Sequence, residues 1–128
     1  WINDSKATNT GATMAALAGM EAPVILIAGG QGKGADFAVL NSSVAAHCRE
    51  VILLGEDAKT IALALEDAPK ITFVSDMEQA VRHAAEVAQS GDCVMLSPAC
   101  ASFDMYRGYA ARGQDFMQKV RALGGVMA

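Results

Sequence analysis

Four short apolar runs stand out along the chain, at residues 24–28, 51–54, 71–74 and 93–96. None alternates apolar with polar positions, and β-branched residues and leucine dominate them, the pattern of strands covered on both faces. The segments between the runs are long enough for crossover helices. They therefore predict βαβ units: an α/β, Rossmann-like domain with a mainly parallel sheet, right-handed crossovers and helices on both faces. Residues 1–3 are a candidate for an earlier strand. Met77, Ala80, Val81, Ala84, Val87 and Ala88 recur at three- and four-residue steps, with Gln79, Arg82, His83 and Glu86 opposite them. This spacing predicts an amphipathic helix opened by a capping box of Ser75 and Glu78. A second helix follows Asp57 as N-cap with Ala58, Ile61, Ala62 and Leu65 inward, and a last one carries Phe116, Val120 and Leu123 and stops at Gly124-Gly125. The opening helix, about residues 9–20, is interrupted by Gly11.

Length and composition sharpen this picture. The 128 residues suit one domain, and 52% hydrophobic against 19% charged residues can bury enough apolar surface to offset chain entropy. A net charge of -4 argues against a nucleic-acid-binding surface. No apolar run is long enough to insert in a membrane, and no cationic-then-apolar signal opens the chain. Cys48, Cys93 and Cys100 form no CxxC pair, which suggests neither a disulfide framework nor a thiolate metal site and fits a reducing, cytoplasmic setting. The start at Trp1 reads as an excised piece of something longer.

In open parallel sheets ligands gather beyond the carboxyl ends of the strands, where loops and positive helix ends converge. Two of the four loops there are unusual: Gly29-Gly30-Gln31-Gly32-Lys33-Gly34-Ala35-Asp36 and Ser97-Pro98-Ala99-Cys100-Ala101-Ser102. The first is not a Walker A loop, because Ile27 and Gly34 stand where a glycine and a hydroxyl are needed. Gly30, Gly32 and Ala35 match GxGxx[G/A], with Glu56 or Asp57 at the distance of a ribose-binding acid, so a dinucleotide-binding regulatory module is the alternative reading. A third reading has the glycines merely permit positive φ in a tight turn. Lys33 inside the loop favours an anion site. In the second loop Cys100 is a conceivable nucleophile with His47 or His83 as base, or a small residue filling a turn. Ser102 precedes a helical run as plain N-cap or as a carboxylate-binding helix start. Near the start, Asp4 and Lys6 are a solvated loop or a hold on sugar hydroxyls and a phosphate. The histidines read as surface residues and the seven methionines as core filler.

Taken together, Asn3-Asp-Ser-Lys-Ala-Thr-Asn9, Gly29-Gly-Gln-Gly-Lys-Gly-Ala-Asp-Phe37 and Leu96-Ser-Pro-Ala-Cys-Ala-Ser-Phe-Asp104, then Arg112-Gly113 and Phe116, resemble the C-terminal domain of the Mur ligases from end to end. The last long run points to the glutamate-adding branch. The resemblance implies that residues 1–128 are the amino-acid-binding domain of a three-domain, ATP-dependent amide ligase, inactive by itself. That enzyme would join D-glutamate to UDP-N-acetylmuramoyl-L-alanine in peptidoglycan synthesis: ATP phosphorylates the substrate carboxylate, and the amine of D-glutamate attacks the acyl phosphate. It further implies that Thr8, Lys33, Ser102, Phe103 and Tyr109 line the D-glutamate pocket, that Asp4 holds the nucleotide ribose and Lys6 a phosphate, and that the central and N-terminal domains are partners. ATP and Mg2+ would be bound mostly by the central domain, leaving no catalytic residue and no metal ligand here. Another ligase of the superfamily, such as one acting on folates, is the related alternative.

Overall fold

The computed structural model describes residues 1–128. Five parallel strands, β1 (Ile2–Asn3), β2 (Val24–Gly29), β3 (Cys48–Leu54), β4 (Ile71–Phe73) and β5 (Cys93–Leu96), lie in the order β1-β5-β2-β3-β4. The helices are α1 (Thr10–Ala18), α2 (Asn41–His47), α3 (Ala58–Ala64), α4 (Met77–Val87) and α5 (Tyr109–Ala122), with a 3-10 turn at Phe37–Leu40.

Successive strand residues supply opposite faces of this sheet. Val24, Leu26 and Ala28 join Val51 and Leu53 in one core beneath Leu17, Val44 and Ile61, on the side of α1, α2 and α3. Ile25, Ile27, Ile52 and Leu54 join Met77, Val81, Phe116 and Val120 on the side of α4 and α5. Burial on both faces explains why the runs show no alternation, and confirms the doubly covered parallel sheet. From β2 the chain steps outward through β3 to β4, then returns to place β5 on the other side of β2. The carboxyl ends of β2 and β5 therefore flank a topological switch point, where the loops diverge and leave a crevice.

Several expectations need correction. β3 begins at Cys48, three residues ahead of the apolar run, because Arg49 and Glu50 are strand residues with partners. Arg49 bonds Asp92 and the Val87 carbonyl, while Glu50, 4% exposed, accepts from Thr72 Oγ1 at 2.9 Å and pairs with His83 Nε2 at 2.5 Å. His83 is thus half-buried against a carboxylate and not a solvent-face residue. Asp76, not Ser75, caps α4, accepting from Gln79 N–H at 2.8 Å, while Gln79 Oε1 takes the Ser75 N–H. Asp57 stands at the start of α3, but its carboxylate makes no cap bond there. Leu123 lies past the end of α5 and is exposed, beyond the reach of the inward stripe.

The largest correction concerns Ser102, which begins no helix; α5 starts at Tyr109 after an extended Gly108. The N–H groups of Met105 and Tyr106 both close onto the Ser102 carbonyl, at 3.1 and 2.8 Å, and there the turn ends. Asp104 is drawn sideways to the Glu56 N–H at 2.9 Å, which holds this segment against the β3–α3 turn instead of letting it wind into α5.

Candidate functional site

The glycine loop is shaped by where β2 ends. Gly29 has φ +126°, and a Cβ there would sit 1.8 Å from the Leu54 carbonyl oxygen of β3; one on Gly30, with φ +135°, would sit 2.3 Å from the Ala101 oxygen. Only glycine lets the chain leave between two neighbouring strand ends this way. Gln31 then pairs with Ala101 through two backbone bonds, at 2.9 and 3.0 Å. Asp57 closes the turn from behind: its N–H donates to the Gly30 carbonyl at 3.0 Å, and its carboxylate accepts the Gly32 N–H at 2.6 Å. Lys33 is the next residue, exposed and in the left-handed region at φ +50°.

Lys33 enters a cavity of about 680 Å³ that also draws on Thr8, Ser102, Phe103 and Tyr109. All five residues expected around one pocket thus share one cavity, whose lining also includes Asn9 and Gln31. The Lys33 ammonium reaches across the gap to lie 5.6 Å from the centre of the Phe103 ring. An exposed cation–π contact of that kind is worth about 0.5–1 kcal/mol, less than a charge-assisted hydrogen bond to a carboxylate, so an anion would displace it. On the far wall the N–H groups of Ser102 and Phe103 take no part in the backbone hydrogen bonding of the loop. The Ser102 hydroxyl is turned away: its Oγ is buried without a partner, facing a void of about 10 Å³ shared with Asp104 and Arg112.

Asp4 and Lys6 are not part of this cavity. Asp4 accepts from the Ser97 hydroxyl at 2.7 Å, which leaves its other oxygen unengaged. Lys6 is exposed beside a neighbouring hollow of about 210 Å³ whose wall includes Ser5 and Tyr109, so Tyr109 separates the two hollows. A free cation there suits a phosphate. No group of three or more His, Cys, Asp or Glu side chains is placed to hold a metal ion. Cys100 does not fit a nucleophile: burial pushes its thiol up to about 12, and it is fully enclosed.

The glutamate ligase domain model of the Mur ligases matches residues 1–100. The chain belongs to the Mur ligase family. Among curated relatives, this Mur ligase domain is 55% identical over 124 residues to the UDP-N-acetylmuramoylalanine–D-glutamate ligase of Bordetella avium. It is 52% identical to the enzymes of the same name from Pseudomonas syringae, over 127 residues, and Nitrosococcus oceani, over 125 residues. Each alignment takes in 96% of this chain but only 24% to 28% of the relative, so the chain spans about a quarter of the length of the proteins it matches. The dinucleotide alternative is not favoured, and the Mur ligase loop shows why. Asp57, one of the two acids that could hold a ribose, is spent on the Gly32 N–H, and the following 3-10 turn is capped by the Asp36 carboxylate, which sets negative charge where a pyrophosphate would need a bare helix end.

Sequence reasoning missed the groups that hold the site together. Arg112, 3% exposed, donates from Nε to Ser5 Oγ at 2.9 Å, from Nη1 to the Cys100 carbonyl at 3.0 Å and from Nη2 to the Ser5 carbonyl at 2.8 Å. It fastens the segment bearing Lys6 and Thr8 to the loop bearing Ser102. Arg112 stands among the residues that carry the family resemblance, but no local pattern announces bonds between residues so far apart in the chain.

Proposed function

We propose that this chain is the D-glutamate-binding domain of a longer, three-domain ATP-dependent ligase that joins D-glutamate to UDP-N-acetylmuramoyl-L-alanine. The observation that carries the reading is that Lys33, with no salt bridge, lines one cavity together with Phe103, Tyr109 and Ser102, and that the N–H groups of Ser102 and Phe103 have no backbone partner. A dicarboxylate needs two anion-binding points and a short apolar span between them. Lys33 supplies one point and the N–H groups at Ser102 and Phe103 the other, the rings of Phe103 and Tyr109 cover the methylenes, and the Thr8 hydroxyl lies alongside. Ser102 contributes through its backbone unless its hydroxyl swings out of the void behind it.

ATP would supply the phosphoryl group that activates the acceptor carboxylate, with Mg2+ and most of the ATP held by the central domain. The part of this domain in the reaction is positional: it carries the amine of D-glutamate to the activated carboxylate, a proximity effect that accelerates nothing in isolation. Lys6, on the hollow behind Tyr109, is assigned a nucleotide phosphate, and Asp4, outside the lining of that hollow, the ribose. The central and N-terminal domains are its partners, and the cytoplasm, where ATP is available, its location; no helix is long and apolar enough to cross a membrane.

The test is Lys33→Ala in the full-length ligase. Loss of a charge-assisted bond of about 1.5–3 kcal/mol raises the KM for D-glutamate by about tenfold or more, with the melting temperature held. Unchanged D-glutamate kinetics would remove the reading.

A further inference from the structure

Residues 55–57, the turn between β3 and α3, contribute nothing to the cavity lining, yet both walls of the cavity are bonded to them. On the Lys33 side, Asp57 grips the loop twice, through its N–H to the Gly30 carbonyl at 3.0 Å and its carboxylate to the Gly32 N–H at 2.6 Å. On the Phe103 side, the Asp104 carboxylate accepts the Glu56 N–H at 2.9 Å. The approach is close enough that a Cβ on Gly55 would come within 2.7 Å of Gly30 N and 2.9 Å of Asp104 Oδ2. One turn thus ties the loop carrying the ammonium to the loop carrying the opposing N–H groups, from behind the ligand and without touching it.

The grip also ends at a telling place. The backbones of Gly30, Gln31 and Gly32 are each held, by the Asp57 N–H, by Ala101 and by the Asp57 carboxylate respectively; Lys33 follows immediately, with a left-handed backbone and no salt bridge. Its side chain is a lever whose fulcrum is the Gly32–Asp57 bond. Phe37 stands behind Gly32, close enough that a Cβ there would meet its ring at 2.4 Å.

We infer that Asp57 is a positioning residue for D-glutamate, with Asp104 as its counterpart on the other wall: together they set the separation between the Lys33 ammonium and the amides of Ser102 and Phe103, and so the length of diacid the cavity accepts. This rests on the reading of the cavity given above. A carboxylate that served only to start α3 would cap that helix, and this one does not.

The experiment compares Lys33→Ala, Asp57→Ala and Asp57→Asn in the full-length ligase, measuring KM for D-glutamate and ATP, the ratio of kcat/KM for D-glutamate over D-aspartate, and melting temperature. Asp57→Ala raises the KM for D-glutamate by about three- to tenfold, leaves that for ATP in place and lowers the preference for glutamate over aspartate, because misplacement by a fraction of an ångström acts on the amino acid alone. Asp57→Asn, whose amide oxygen still accepts from Gly32, returns the KM to within about twofold. A purely structural Asp57 would lower the melting temperature and move neither KM nor the substrate ratio; that result, with Lys33→Ala impaired, overturns the inference and leaves the cavity reading standing. An Asn variant as impaired as the Ala variant also overturns it. Lys33→Ala without effect removes both. Should Asp57→Ala not fold, Asp57→Ser, too short to reach Gly32, carries the same expectation.

Discussion

Arg112 is the residue on which the site's geometry most depends, although it touches none of the cavity. Burial draws the guanidinium below its ordinary pKa, yet no carboxylate is bonded to it; two carbonyls and one hydroxyl take its protons instead. A buried cation held by neutral groups is sustained by the completeness of its hydrogen bonds, so truncation strands acceptors as well as leaving a hole. Arg112→Ala is expected to lose about 2–4 kcal/mol in urea unfolding, and Arg112→Lys at least half of that, because a single ammonium cannot reproduce the three directions of the fork. At this scale the sequence announced residues by chemistry but not by orientation. Lys33 stood out because a lone cation in a glycine loop has few uses, whereas Ser102 stood out too but was placed at a helix start that the fold does not have. Its carbonyl is consumed by a turn that depends on Asp104 reaching a loop 48 positions away. Of the two readings of Cys100, its full enclosure supports the small residue filling a turn.

Among the elements, the strands were the most legible and β3 shows the limit. An apolar run marks the part of a strand that is buried without partners, so half-buried Arg49 and buried Glu50, which have partners on α4, β4 and the segment before β5, fell outside it. The same partners make the amino end of β3 pH-sensitive. The Gln89 N–H and, after it, the Arg49 guanidinium hold the Asp92 carboxyl below its ordinary value. A carboxyl with a lower pKa in the folded chain than in the unfolded one contributes stability that is complete above the unfolded value of about 3.9 and is lost as pH falls through the folded value. Asp92→Asn therefore costs about 1 kcal/mol at pH 7, a modest figure because Arg49 is over a third exposed, and this difference from the natural chain shrinks as the pH drops from 5 toward 2. Urea midpoints across that range check it; a constant gap would place the effect elsewhere.

For the molecule as a whole, strand order was the feature that no run of residues encodes, since β5 beside β2 is a matter of which edge remains free after β4 forms. The consequence for function was nonetheless foreseeable: a parallel sheet that reverses direction leaves its crevice at the carboxyl ends of the strands on either side of the reversal, and the two unusual loops follow those strands. The crevice is open. Phe103 is 63% and Tyr109 52% exposed, and Lys33 is exposed as well, so ion pairing in this chain is screened. A site of that kind gains its affinity when a further surface closes over it. With two cores of 16 and 12 buried residues on opposite faces of one sheet, the 128-residue chain has what it needs to unfold as a single transition, and ligand linkage can be read from it directly. If closure supplies the missing contacts, 10 mM D-glutamate raises the melting temperature of this chain by no more than about 2 °C, the shift for a dissociation constant near that concentration. Lys33→Ala then abolishes what shift there is. A rise of 5 °C or more would mean that the pocket is complete within these residues and that the closing surface contributes nothing to amino-acid affinity.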